Sequence, residues 1–267
     1  MRSTIFRAAA LAAMLAATFT PGPAAFAQDA KGPAGAAAAP GAAITANAVV
    51  AQYAALVHAS YEDTLAAAKA MQAAIQAFTA KPSPQTLAEA RKTWLAAREF
   101  YGQTEAFRFY GGPIDDDNGP EGRLNAWPMD ESYVDSVEGK PGSGLVNDRK
   151  FVINKKSLAA QNERGGEENI ATGWHAIEFF LWGQDLSEAG PGNRSVEDFT
   201  TAKNADRRRQ YLNVATELLI DDLGLLVKAW EPKAADNYRA RFSRGGMESV
   251  RKMLVGLGSL SRGELAG

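Results

Sequence analysis

The sequence predicts an all-α protein. Apolar residues recur at alternating steps of three and four over long stretches, which is the period of one helix face. Prolines and glycines interrupt these stretches at lengths that suit the helices of a bundle. No stretch alternates between apolar and polar residues as a half-buried strand does, and no βαβ rhythm is present. These three observations predict helices packed as one or more bundles.

Composition and charge limit the possible functions. The chain has 46% hydrophobic residues, enough for a sizeable core, and a formal net charge of −2. It lacks the basic field that binds nucleic acid, so we expect no nucleic-acid partner. It contains no cysteine, which excludes disulfides and thiolate metal sites. Neither a glycine-rich phosphate loop nor a G-x-S-x-G nucleophile motif is present.

The N-terminus predicts export. Arg2 and Arg7 accompany an Ala/Leu/Met-rich run, and Ala25-Phe26-Ala27 forms a cleavage site of the A-x-A type. This pattern is typical of a secretory signal peptide over residues 1–27, with Gln28 as the mature N-terminus. A membrane anchor is the alternative, but the apolar run is short for a span. We therefore expect a mature protein of the periplasm or cell envelope without a transmembrane segment.

The first predicted helix follows a linker. Residues 28–44 are almost entirely Ala, Gly and Pro, which favours disorder, and the helical domain then covers residues 45–267. Pro82 and Pro84 end the first helix. One face of it carries the residues expected in the core: Val57, Tyr61, Thr64, Ala68, Met71, Ile75 and Phe78.

The second predicted helix starts with Ser83 as its N-cap and runs to about Tyr110. Glu105 occupies the next position of its apolar stripe, where another core residue is expected. This carboxylate is therefore either paired with Arg98 or Arg108, or a metal ligand. The stripe itself consists of Leu87, Ala90, Trp94, Ala97 and Tyr101.

Residues 111–150 break the helical period with many glycines and prolines, and they are rich in acids, including Asp130. A long irregular insert in a helical protein favours a functional role. A short helix is expected from Asn154 to Gln161. The later helices extend to Trp230 and from about Ala234 toward Leu257, with a weak point at Gly245-Gly246. The last of them has Phe242, Val250, Leu254 and Leu257 as its apolar face.

The segment from Gly173 to Asp185 is the candidate functional stretch. It is apolar nearly all round, as expected of a buried helix, yet it contains His175 and Glu178, three residues apart on one face. Such a pair begins a metal site, an acid/base pair or a buried hydrogen-bonded pair. The other histidine of the chain, His58, lies on the polar side of the first helix and is expected at the surface.

This stretch resembles the GxHxxE region of the imelysin-like proteins, closest to the iron-regulated protein A branch. The resemblance extends over essentially the whole chain from Thr45. It is carried also by WLAAREFYGQTEAFRF (residues 94–109), GPID (112–115), LNAWPMDE (124–131) and GLGSLSRGEL (256–265). It implies two helical bundles side by side. Members of this kind continue beyond the last block, so we expect the chain to end at Gly267 inside an incomplete second bundle.

The resemblance implies a bacterial cell-envelope setting linked to iron uptake, with a metal ion or iron complex and possibly other envelope components as partners. His175, Glu178 and Glu105 are the candidate ligands, with Asp130 as a further one. This oxygen-rich set with one histidine suits a fairly hard divalent ion better than a thiolate metal, with iron favoured and zinc possible. The alternatives are a metallopeptidase, since some members are described as proteases, and a purely structural histidine–glutamate pair. No HExxH motif is present.

Overall fold

The computed structural model describes residues 43–266. The expected signal peptide and residues 28–42 of the expected linker lie outside the described part of the chain. Residues 43–266 contain nine α-helices and no strand. None of the helices in this range is long and apolar enough to cross a membrane. The helices are α1 (Ala46–Ala80), α2 (Pro84–Gln103), α3 (Glu121–Leu124), α4 (Glu131–Val134), α5 (Lys155–Gln161), α6 (Gly173–Trp182), α7 (Ala205–Trp230), α8 (Tyr238–Arg244) and α9 (Met247–Ser259).

The central helix is α1, which packs against both α2 and α7 and also contacts α8 and α9. Helix α6 packs on α2 and α7. The apolar stripes predicted for α1 and α2 are buried throughout, so the helical periods of the sequence are confirmed. Large aromatic side chains fill the space between these helices, including Tyr61, Phe78, Tyr101, Trp174, Phe180, Tyr211 and Trp230.

Local capping explains where two of these helices begin. Ser83 accepts a hydrogen bond from the backbone of Thr86, whose side chain accepts one from the Ser83 backbone, and Pro84 is the first residue of α2. Asn154 and Ser157 make the same reciprocal pair at the start of α5. Both starts agree with the sequence prediction.

The expected end of α2 near Tyr110 is wrong. The helix ends at Gln103, and residues Thr104–Phe107 form one 3₁₀ turn. The hydroxyl of Thr104 donates a 2.7 Å hydrogen bond to the carbonyl of Tyr101, which stabilises this turn. The tighter turn shifts the register, so that Thr104 and Phe107 are buried and Glu105 is only partly buried.

The last predicted helix is in fact two helices. Gly246 has a φ of +53° and separates α8 from α9, at the weak point that the sequence indicated. Phe242 is buried and Val250 packs on the core, but Leu254 is 65% exposed and Leu257 is 45% exposed. The expected apolar face of this helix is therefore buried only in its first half.

The irregular region is organised by a buried aspartate. The side chain of Asp135 is 1% exposed, and Arg208 of α7 donates to it from Nε at 2.7 Å and from Nη2 at 3.1 Å. Arg194 donates to the same carboxylate at 3.1 Å. Burial raises the pKa of Asp135, but the two arginines outweigh it, so the pKa is below its ordinary value. The pairs tie residues 131–147 to α7 and to the segment after α6.

A candidate binding pocket on the sixth helix

Helix α6 starts at a glycine that no other residue can replace without strain. Gly173 has a φ of +83°, and a Cβ atom there would lie 2.5 Å from the carbonyl oxygen of Leu124. The adjacent Thr172 donates from its hydroxyl to the carbonyl of Arg123 at 3.0 Å. The start of α6 is therefore held directly against the end of α3.

The two faces of α6 differ. Trp174, Ile177 and Phe180 are fully buried against the core. His175 and Glu178 lie on the other face, where their side chains are 17% and 43% exposed. The expectation of a helix buried all round is therefore wrong for this face, because the loops that cover it leave a pocket.

His175 and Glu178 form a direct pair. The Nδ1 atom of His175 lies 3.2 Å from Oε2 of Glu178. The indole of Trp127 lies on the same imidazole, with 4.8 Å between the ring centroids, although Trp127 itself is 69% exposed. The imidazole is thus oriented by a carboxylate on one nitrogen and by an aromatic ring on its face.

The pocket beside this pair has a volume of about 540 Å³. Its walls are mainly aromatic or apolar, and its polar groups are carboxylates and the imidazole. The residues that line it are Trp94, Leu95, Trp127, Met129, Glu131, His175, Glu178, Phe179, Trp182, Gly183, Asp185, Pro191 and Gly192. Pockets of this size and apolar character are typical of small-molecule sites.

A closed loop after α6 forms one rim of the pocket. Gly183 ends the helix with a φ of +71°, and the backbone N–H of Arg194 donates to the carbonyl of Trp182 at 2.8 Å. Gly192 lies against the start of this loop, since a Cβ atom there would be 2.6 Å from the carbonyl oxygen of Trp182. The loop therefore holds Asp185 at the pocket by backbone contacts.

Three carboxylates face the pocket: Glu131, Glu178 and Asp185. Burial raises the pKa of Glu131; Gln184 and Arg194 lower it, while Asp130 and Glu178 raise it further, and the net shift is upward. Glu131 and Glu178 line the same pocket, and like charges that share a pocket repel each other. A cation in this pocket would relieve that repulsion.

Glu105 lies apart from this pocket. Its carboxylate accepts from Arg108 at 2.6 Å and from the Asn125 side chain at 3.3 Å, and it lines a different cavity. Arg108 also pairs with Glu121 at 2.9 Å. The predicted approach of Glu105 to His175 is not seen, because the 3₁₀ turn takes Glu105 off the stripe of α2. The predicted pairing with Arg108 is present.

The remaining candidates have structural partners. Arg98 donates to Asn125 at 2.8 Å and lies over the rings of Tyr101 and Trp174. Asp130 caps α4 by accepting from the backbone N–H of Ser132, while the next residue, Glu131, reaches the pocket.

The second histidine is more buried than the sequence suggested. His58 is 13% exposed on α1 and pairs with Glu62 at 3.0 Å, and it does not line the pocket. His58 was expected at the surface, and it is instead partly buried beside an exposed partner, since the Glu62 side chain is 57% exposed.

Sequence reasoning missed Glu131, Asp185 and Trp127 as pocket residues. Glu131 and Trp127 belong to the LNAWPMDE block, and Asp185 ends the stretch that contains His175. The helical period of the sequence does not predict that these segments lie close to each other. The available signal was that these two carboxylates and this tryptophan lie inside sequence blocks that resemble the family.

The sequence matches a known protein family over most of its length. The family model for imelysin, which carries the peptidase M75 label, matches residues 57–267. The chain belongs to the imelysin family. Iron-regulated protein A of Synechococcus elongatus is 26% identical to this imelysin-family chain over 221 residues, which cover 77% of the chain and 61% of that protein.

A solved structure supports the fold. A crystal structure from Parabacteroides distasonis, named as an iron-regulated protein A precursor, has a TM-score of 0.59 and 22% identity. The match covers 80% of this chain and 56% of that one. The imelysin-family chain described here therefore spans about three fifths of the length of these relatives, and the helical fold predicted from the sequence is confirmed.

Proposed function

We propose that this chain is an exported cell-envelope protein that binds iron, held by a small chelator, in the pocket beside His175. The pairing of His175 with Glu178 carries the proposal. A neutral imidazole that donates its Nδ1–H to a carboxylate presents the Nε2 lone pair, which is the usual arrangement of a metal-binding histidine. Within residues 43–266, Nδ1 is the only nitrogen of this ring that has a hydrogen-bond partner.

The family supports iron as the metal. The relative from Synechococcus elongatus is named an iron-regulated protein. Imidazole and carboxylate donors without any thiolate suit iron, with zinc as the competing divalent ion. Partners of this protein would then be an iron complex and other envelope components of iron uptake.

A chelator is part of the proposal because the donor side chains of the pocket are not grouped closely enough to hold a bare ion. Among residues 43–266, no group of three or more histidine, aspartate or glutamate side chains is arranged to hold a metal ion. The volume of about 540 Å³ exceeds what a bare ion needs and suits a small molecule. A complex that brings most of its own ligands and leaves a position open for Nε2 fits both features.

Binding of ferric salen, a singly positive iron complex with open axial coordination positions, tests the proposal by calorimetry on protein without a histidine tag. We expect His175→Ala to weaken binding about tenfold or more. His58→Ala is a matched control, because His58 makes a similar pair with Glu62 outside the pocket. Equal affinities of wild type and His175→Ala would overturn the proposal and favour a structural role for the pair.

The peptidase label of the family makes cleavage the second outcome to measure. A zinc peptidase needs three firm protein ligands and a general base. Chelator-sensitive cleavage of a peptide library by the wild type, lost in His175→Ala and retained in His58→Ala, would replace iron binding by hydrolysis as the function of this pocket.

A further inference from the structure

The charges that line the pocket are of one sign. Its ionisable lining residues are Glu131, Glu178, Asp185 and His175, and neither lysine nor arginine is among them. With three carboxylates and one imidazole, the lining is net negative whether or not the imidazole is protonated. The pocket therefore contrasts with sites that bind anionic chelates, which use arginine or lysine.

Two arginines lie against the pocket walls. Each of their side-chain hydrogen bonds goes to a residue that does not line the pocket, and Nε of Arg194 is buried without a partner. The guanidinium of Arg194 is 4.8 Å from the Phe179 ring centroid and pairs with Asp135 and Asp198. The guanidinium of Arg91 is 5.7 Å from the Trp182 ring centroid and donates to the backbone carbonyls of Leu181 and Arg194. Neither lines the pocket, so neither offers a hydrogen-bond donor to an anion there.

Four large aromatic side chains are part of the walls. Trp94, Trp127, Trp182 and Phe179 line the pocket together with the carboxylates. The face of an aromatic ring attracts cations and repels anions, and tryptophan does so most strongly. Aromatic walls with an acidic rim are the arrangement that recognises an organic cation or a positively charged planar complex.

We propose that this pocket selects a positively charged complex with an aromatic or apolar body and rejects anionic chelates. The inference rests on the proposed function for its metal, but the charge preference follows from the lining alone. An anion would meet Glu131, Glu178 and Asp185 without a compensating donor. A cation would be held between these carboxylates and the indole faces.

Two iron complexes with the same donor set test the preference. Ferric salen is planar, aromatic and singly positive, with two axial positions open, and its disulfonated form is singly negative. We expect calorimetry to give an affinity for ferric salen roughly tenfold or more above that for the disulfonated complex. Equal affinities, or tighter binding of the anion, would overturn the inference while leaving iron binding intact.

Charge-neutralising variants separate charge from size. In the double variant Glu131→Gln with Asp185→Asn, the preference for ferric salen should fall toward equality, since the carboxylates that disfavour the anion are gone. The matched control is Asp116→Asn with Asp117→Asn, which removes the same charge from an exposed turn outside the pocket. A preference that persists unchanged in the pocket variant would show that the sulfonates clash sterically, and the inference would be wrong.

A metal-free pair makes this test independent of iron. Benzyltrimethylammonium and benzenesulfonate are aromatic ions of opposite charge, and we expect the wild type to bind only the cation. If the cation binds while ferric salen does not, the proposed iron function fails and the charge preference stands. If the anion binds as well as the cation, or if neither the organic ions nor the iron complexes bind, the charge preference fails.

Discussion

The Nδ1 atom of His175 lies 3.2 Å from Oε2 of Glu178, one turn further along α6. This contact assigns the two residues different tasks. In the proposed site, Glu178 would orient the imidazole and Nε2 of His175 would be the atom that binds the metal. The sequence offered both as equivalent candidate ligands, whereas the geometry favours Glu178 as the residue that acts through His175.

We predict that Glu178→Gln changes the tautomer of His175. An amide both donates and accepts, so it no longer selects the form with the proton on Nδ1. Nitrogen-15 NMR of the imidazole above neutral pH should show a larger share of the Nε2–H tautomer, and iron affinity should fall about tenfold. Glu62→Gln, beside His58, is the control and should leave His175 unchanged. An unaltered tautomer in Glu178→Gln would contradict the orienting role.

We predict that Gly173→Ala destabilises the protein. The positive φ alone costs about 1–2 kcal/mol for a residue with a Cβ atom, and the new atom would also press on the carbonyl oxygen of Leu124 at 2.5 Å. Urea unfolding should therefore show a lower midpoint. Gly102→Ala is the control, because nothing lies within 4 Å of a Cβ atom there. A variant as stable as wild type would mean that α6 does not start as described.

Glu105 provides a test between the sequence hypothesis and the observed geometry. Its partners are Arg108 and Asn125, so we expect Glu105→Gln to lower stability by about 1 kcal/mol and to leave iron affinity unchanged. Urea unfolding and calorimetry measure the two quantities separately. If Glu105→Gln weakens iron binding as strongly as Glu178→Gln does, Glu105 belongs to the metal site as the sequence suggested.

The helical period of the sequence was sufficient to predict the core but not the pocket. The stripes of α1 and α2 repeat regularly, and burial follows from that repeat. Glu105 was misplaced because one 3₁₀ turn, stabilised by the Thr104 hydroxyl, shifts the register. No periodicity describes the segments that bring Glu131 and Asp185 to the pocket of His175. Glu131 starts the one-turn helix α4 in the irregular region, and backbone contacts hold the loop that carries Asp185.

Asp135 is a second residue whose contacts the sequence did not predict. The sequence grouped Asp135 with the other acids of residues 111–150, although its partners, Arg194 and Arg208, are about 60 and 70 residues away in the chain. Long-range pairing of this kind has no local signature. It nevertheless determines how the irregular region is attached to α7.

We predict that Asp135→Asn strongly destabilises the protein near neutral pH. The variant leaves two arginines, whose side chains are 6% and 8% exposed, without their shared carboxylate. Removal of one partner of a buried ion pair costs about 3–5 kcal/mol. Urea unfolding should show this loss, with Asp117→Asn in an exposed turn as the control of equal charge change.

The free energy of unfolding that Asp135→Asn loses should become smaller at acidic pH. The pKa of Asp135 in the folded protein is below its ordinary value of 3.8, so its contribution is fully present above that value. The contribution disappears as the pH falls below 3.8 through the lower folded pKa, because the folded state then protonates the carboxylate as well. The stability difference between wild type and Asp135→Asn should therefore be constant from pH 6 to about pH 5 and shrink below pH 3.8. A difference that grows on acidification would mean that the arginines do not stabilise the ionised form, and the attachment of the irregular region to α7 would need another explanation.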